Sequence, residues 1–294
     1  MNIRESYISY IDTDSLFIRL GHFLKVQGVN IPSWNALDKK VKVGYLLKLS
    51  KYIENNINER MYNETQLVDY TSMVDKDDFS IKFKQEIICD NALHISAKMY
   101  AFHVINQEGF DTDKVDAKGI ETVRSSSPKV FRLALQGLLK LILTNTDDDS
   151  IKIYISDKIV EFYSASPEDI SVNIGVNGIT KYKEGESSYS KGTPFQVKGA
   201  INYMFLLKEL GLSHKYEPIH EGDKCRFTYI KKNKWGIDGI TYFEWPKEFK
   251  EHGIIPNYDI QIEKYFLGKA EILLNPINKN NLLSSGNNAE ADFF

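Results

Sequence analysis

The chain has 294 residues, 42% of them hydrophobic and 26% charged, with a net charge of −3 and a pI near 6.1. That length suffices for one large or two ordinary domains; no apolar run approaches the roughly 20 residues of a membrane span, and the N-terminus lacks the basic-then-apolar layout of a secretion signal. Cys89 and Cys225 stand alone, so neither a disulfide framework nor a zinc site is suggested, and the composition is that expected of a soluble intracellular protein with free thiols.

Two apolar runs, Tyr7 to Ile11 and Leu16 to Leu20, enclose Asp12-Thr13-Asp14-Ser15 and predict a hairpin at about 6–20. Residues two apart on an extended chain face the same way, so Asp12 and Asp14 can converge on one point. Hard divalent cations such as magnesium take carboxylate oxygens of this kind. The same pair also fits an acidic turn that merely caps a hairpin. From Ala36 to Arg60, Val43, Leu46, Leu47, Leu49 and Ile53 recur among polar residues at amphipathic helix spacing. Phe79–Cys89 and Leu93–Asn106 are predicted as two strands around a short polar turn. Ser127 followed by Pro128 predicts an N-cap and first turn for a helix through about Thr144. Thr193 and Pro194 repeat that start, and Gly211 supplies a stop after Leu210. Residues from Lys215 to about Tyr242 alternate as short strands, and the Asn- and Ser-rich stretch from Asn278 to Asn288 reads as a flexible linker.

Set in its strand context, Tyr10-Ile11-Asp12-Thr13-Asp14-Ser15 resembles the palm motif of family B DNA polymerases. Phe83-Lys84-Gln85-Glu86-Ile87 is similar to the palm strand that carries a further carboxylate, and Lys98-Met99-Tyr100-Ala101 to the strand that grips the primer end. Gly119-Ile120-Glu121-Thr122, with Ser125 to Pro128, resembles the palm-to-thumb junction of the T-even phage branch. Gly178 to Tyr182, Val197 to Ala200 and Gly222 to Lys224 resemble successive thumb segments, and Asp292-Phe293-Phe294 resembles the sliding-clamp tail.

The resemblance implies an α+β fold: residues 1–125 as the C-terminal portion of a palm, an antiparallel sheet with packed helices; 126–270 as a mainly helical thumb with short strands; and 271–294 as a flexible tail. It implies two magnesium ions held by Asp14, with Asp12 secondary and Glu86 an outer carboxylate. Lys98 and Tyr100, taken to alternate onto one strand face, would meet the primer terminus. Lys181, Tyr182, Lys198 and Lys224 would contact duplex DNA, with Lys183 and Arg226 beside them and Lys231, Lys232 and Lys234 as a second cluster. Gly178 and Gly199 would either admit main-chain amides to phosphates or serve ordinary packing. Phe293 and Phe294 would bind a sliding clamp. The net negative charge does not oppose this, because residues 171–250 hold 13 Lys and Arg against 9 Asp and Glu, and phosphate contacts need only local positive charge.

Other family motifs are missing: the exonuclease carboxylates, the other metal-bearing palm strand, and the finger helix that holds the incoming deoxynucleoside triphosphate. The expectation is therefore a C-terminal subunit of a split DNA-directed DNA polymerase, acting in the host cytoplasm with an N-terminal partner chain on primer-template DNA. The alternative is a non-catalytic palm-and-thumb accessory protein that binds duplex DNA and a clamp. In a third reading the chain is an unrelated binding protein. Ile11 stands where the family has Gly, and Ala97 and Met99 flank Lys98 where it has further basic residues.

Overall fold

The computed structural model describes residues 8–12, 15–65, 81–120 and 127–283. The architecture is α+β, with antiparallel sheets and separate helices. The chain falls into two compact units, Met1–Ala92 with Phe102–Asp116, and Leu93–Ala101 with Ala117–Phe294.

The first unit opens with the expected hairpin, β1 (Ile8–Asp12) against β2 (Ser15–Ile18), paired Tyr10↔Phe17, Ile11↔Leu16 and Asp12↔Ser15. Aromatic packing anchors it. The Phe17 ring lies 5.8 Å from Tyr10 and 5.0 Å from Phe102 of β4 (Met99–Gln107). Helices α1 (Leu20–Val26) and α2 (Ile31–Ala36) follow, the second capped by Asn30, whose side-chain oxygen accepts the Ser33 N–H. The long helix α3 (Lys39–Thr65) begins three residues after the expected start. Asp38 explains the delay, because its carboxylate accepts the Lys40 N–H at 2.8 Å in the manner of a cap. As its periodicity requires, α3 buries Val43 and packs Leu46 and Leu47 on Ile88 and Ile105.

The strands after α3 differ from expectation. Residues 81–86 are not in the sheet; α3 holds them with side chains instead. Asn58 accepts the Phe83 N–H at 2.7 Å and donates to the Phe83 carbonyl at 2.8 Å, and Glu54 accepts the Gln85 N–H. The sheet then runs in the order β3 (Ile87–Ser96), β4, β5 (Phe110–Lys118). Asp90 and Asn91, taken for a turn, lie inside β3, and the turn is Ala97-Lys98, with Lys98 at φ +61°. A third strand was missed. Its turn carries Glu108 at φ +50° and Gly109 at φ +92°, the left-handed pair that a two-residue hairpin turn demands, and the Asn106 side chain accepts the Gly109 N–H.

The second unit is mainly helical. Helix α4 (Lys129–Leu143) is followed by α5 (Asp148–Tyr163), the short α6 (Pro167–Ile170), β6 (Val172–Gly175), α7 (Ile179–Tyr182), α8 (Phe195–Glu209), β7 (Lys224–Tyr229) and β8 (Gly239–Tyr242). Helix α9 (Tyr258–Ile262) and α10 (Gly268–Leu274) are joined by one wide turn, Glu263–Leu267. Both expected starts move by one residue: Pro128 and Pro194 are themselves the N-caps, without side-chain caps. Thr193 instead turns its hydroxyl back to the Ser190 carbonyl at 2.6 Å. The stop at Gly211 is as expected. Gly211 adopts φ +67°, and the N–H groups of Gly211 and Leu212 return to the Lys208 and Leu207 carbonyls, which closes the last turn of α8.

Antiparallel β6, β7 and β8 form one sheet in that order, and α8 packs directly on β8. A Cβ on Gly199 would fall 2.5 Å from Thr241 Oγ1 and 2.7 Å from its nitrogen, so this glycine does packing duty. Tyr203, Leu206, Ile240, Tyr242 and Phe249 fill the core beneath. Among the described residues no helix is long and apolar enough to cross a membrane.

Candidate metal hairpin and nucleic-acid interface

The β1–β2 ladder closes at Asp12↔Ser15. Asp14 lies outside the described residues, as do Phe293 and Phe294. The donor chemistry of Asp12-Thr13-Asp14 fits a magnesium ion, since both carboxylates are hard oxygen ligands and stand two positions apart in the sequence. Ile11, next to it, has 61% of its surface exposed, so a bulky branched group stands on the open side of the hairpin.

Glu86 is exposed and precedes β3 rather than lying on a strand; its carbonyl accepts the Glu108 N–H at 2.7 Å. Among the described residues no three His, Cys, Asp or Glu side chains gather as a metal centre. Lys98 and Tyr100 do not share a strand face. Lys98 occupies the turn, while Tyr100 is 2% exposed on β4, with Lys118 Nζ 6.0 Å from its ring centre and His94 tilted against it. The expected alternation fails because the β3–β4 turn falls at Lys98, which breaks the extended run needed to place residues two apart on one side.

In the second unit the expected cations gather around two tyrosines. Helix α7 opens at Gly178, φ +96°. Glu221 closes that end: one carboxylate oxygen accepts the Gly178 N–H at 2.6 Å and the other the Thr180 N–H at 2.9 Å. Those amides hold the Glu221 pKa below the usual carboxylate range, and they already have an anionic partner, so Gly178 serves the turn. The chain then doubles back. Lys183 pairs with Tyr189, and the Ser190 N–H donates to the Tyr182 carbonyl at 3.0 Å. Lys181 at the start of this hairpin lies 4.9 Å from the Tyr182 ring centre, and Lys198 of α8 lies 5.3 Å from the ring centre of Tyr189. Exposed Lys183 and Lys191 complete the group. Tyr189 and Lys191 were missed in the sequence; the signal was Tyr189-Ser190-Lys191, a second tyrosine with a nearby lysine seven residues after Tyr182-Lys183.

The remaining candidates divide. Lys224 is exposed at the start of β7, but Arg226 spends a guanidinium N–H on the Phe243 carbonyl at 2.9 Å. Lys231 lies 4.0 Å from Asp259, Lys234 sits 4.4 Å over the Trp235 ring, and Lys232 is exposed.

No protein-family model matches the chain. Over 159 residues it is 27% identical to the DNA-directed DNA polymerase of Enterobacteria phage T4, an alignment that takes in 52% of this chain and 17% of that polymerase. The chain thus spans well under two thirds of that relative's length. It is related at a distance to a DNA polymerase.

Proposed function

We propose that the chain is the palm-and-thumb portion of a family B DNA polymerase of the T-even phage type. In this reading it adds deoxynucleotides to a primer 3′ end together with a chain that supplies the exonuclease, the fingers and the rest of the palm. The observation that carries the proposal is the similarity to the T4 polymerase, with the Asp12-Thr13-Asp14 sequence at the end of the β1–β2 ladder supporting it. Residues 1–125 would be palm and 126–270 thumb.

Asp14 and Asp12 would hold two magnesium ions, with Glu86 further out. Bound there, the metals would lower the pKa of the primer hydroxyl and neutralise charge on the leaving pyrophosphate. The chain's own residues position the DNA. Lys181, Tyr182, Lys183, Lys191 and Lys198 would follow the duplex backbone without reading bases, joined by Lys224. Lys98, at a turn, would reach the primer strand, and Tyr100 would support that turn from inside the sheet. The Asp292-Phe293-Phe294 motif would dock on a sliding clamp, so that the polymerase stays tethered to DNA.

Primer extension tests this reading. The purified chain alone is expected to show none; the chain mixed with the polymerase chain bearing the missing finger and palm motifs, identified by co-purification from the native source, is expected to show magnesium-dependent extension. Duplex DNA binding without extension in that mixture would instead establish the accessory protein.

A further inference from the structure

Helix α3 carries a feature that the polymerase reading does not use. From Lys39 to Tyr52 it holds five lysines, at 39, 40, 42, 48 and 51, and no acidic residue, in a chain whose net charge is −3. Its inner face is committed to the core through Val43, Leu46 and Leu47. The opposite face is not polar. At helical spacing Val41, Tyr45, Lys48 and Tyr52 fall within one narrow stripe, and there Tyr45 has 60% and Tyr52 64% of its surface exposed.

Three of the five lysines have local duties: Lys39 and Lys42 donate to the Thr112 and Asn35 carbonyls, and Lys51 pairs with Glu54. Lys48 is exposed within the stripe, and Lys40 is exposed in the first turn of α3, about 80° round the axis from Lys48. Trp34 of α2 meets Tyr45 edge-on, with ring centres 6.1 Å apart, and steadies the first ring. The two tyrosines stand seven residues apart, about 10 Å along the helix axis.

We propose that this face of α3 is a binding site for single-stranded nucleic acid, the tyrosines stacking on bases and Lys40 and Lys48 pairing with phosphates. Charge complementarity selects the occupant. A run of five cations free of acidic residues favours a polyanion, and exposed rings set among cations favour one with unpaired bases, because each base offers a π-face to stack on while a duplex hides it. The proposal does not rest on polymerase activity.

Fluorescence anisotropy of labelled oligo-dT with the full chain tests it, with a duplex of equal length as comparison. Replacing both rings, Tyr45→Ala with Tyr52→Ala, is expected to weaken oligo-dT binding at least about tenfold while leaving duplex affinity unchanged. Lys40→Ala with Lys48→Ala is expected to lower the magnitude of the slope of log affinity against log salt by about 1.4 for the single strand, about 0.7 per lost phosphate contact. Both pairs are solvent-exposed, and circular dichroism confirms that the variants remain folded. Unchanged oligo-dT affinity in both variants overturns the proposal. Should the variants keep that affinity yet lose co-purification with another polymerase chain, the face is a protein interface, and the nucleic-acid assignment is equally overturned.

Discussion

Gly119 is where a single side chain would do most local damage. Its φ is +71°, and a Cβ there would lie 2.1 Å from the Lys98 carbonyl oxygen, a backbone atom that moves only if the β3–β4 turn moves. Gly119→Ala is therefore expected to lose roughly 2–4 kcal/mol, combining left-handed strain with overpacking, as read by chemical denaturation. Glu248 carries a different residue-scale effect. Lys215 and then Tyr216 bind its carboxylate and hold its pKa down at about 2, against an ordinary value of 4.5. A group with a depressed folded pKa stabilises the fold above its unfolded pKa, and that contribution fades as pH falls from about 4.5 toward 2. Glu248→Gln should flatten the loss of stability across that window, which thermal melts at stepped pH would register. An unchanged acid profile would assign the acid sensitivity to other carboxylates.

At the scale of elements, packing pressure is most concentrated where α8 lies on β8. Gly199 permits that approach, and Gly199→Ala would push a methyl group against Thr241, whose hydroxyl already donates to the Gln196 carbonyl at 2.8 Å. A loss of about 1–3 kcal/mol is expected, measured as a shift in denaturation midpoint without a change in slope. What was legible here depended on period and punctuation. The β1–β2 hairpin, α3, α4 and α8 were readable because an apolar period of 2 or 3.6 ran unbroken between turn or cap signals. Residues 81–86 were misread because alternation through Ile81 and Phe83 looks like a strand, whereas Asn58 and Glu54 of α3 take up the backbone groups of Phe83 and Gln85, a contact across 25 residues or more that no local pattern announces. The β3–β4 turn escaped notice because its left-handed residue is a lysine, Lys98, rather than Gly or Asn. The cation and tyrosine cluster was half legible: Lys181, Tyr182 and Lys198 could be named, but only the doubling back of residues 182–190 brings Tyr189 beside Lys198.

For the whole molecule the question is whether a chain related to about a sixth of a polymerase contributes chemistry or only grip. The Asp12↔Ser15 closure and the exposed Ile11 describe the hairpin that would meet the primer end, and the hairpin around Tyr182 and Tyr189 describes a surface suited to a phosphate backbone. Asp14 separates the two roles, because it is the residue proposed to anchor metal and is not among the cations proposed to grip DNA. The deciding measurement is the single-turnover rate of nucleotide addition by the reconstituted pair, compared for wild type and Asp14→Ala at saturating magnesium, with co-purification of the two chains as the check on assembly. Loss of a metal anchor worth several kcal/mol should slow addition by at least about 1,000-fold while assembly and duplex affinity persist. Equal rates for the two proteins would contradict the catalytic assignment and leave the chain a DNA-binding accessory.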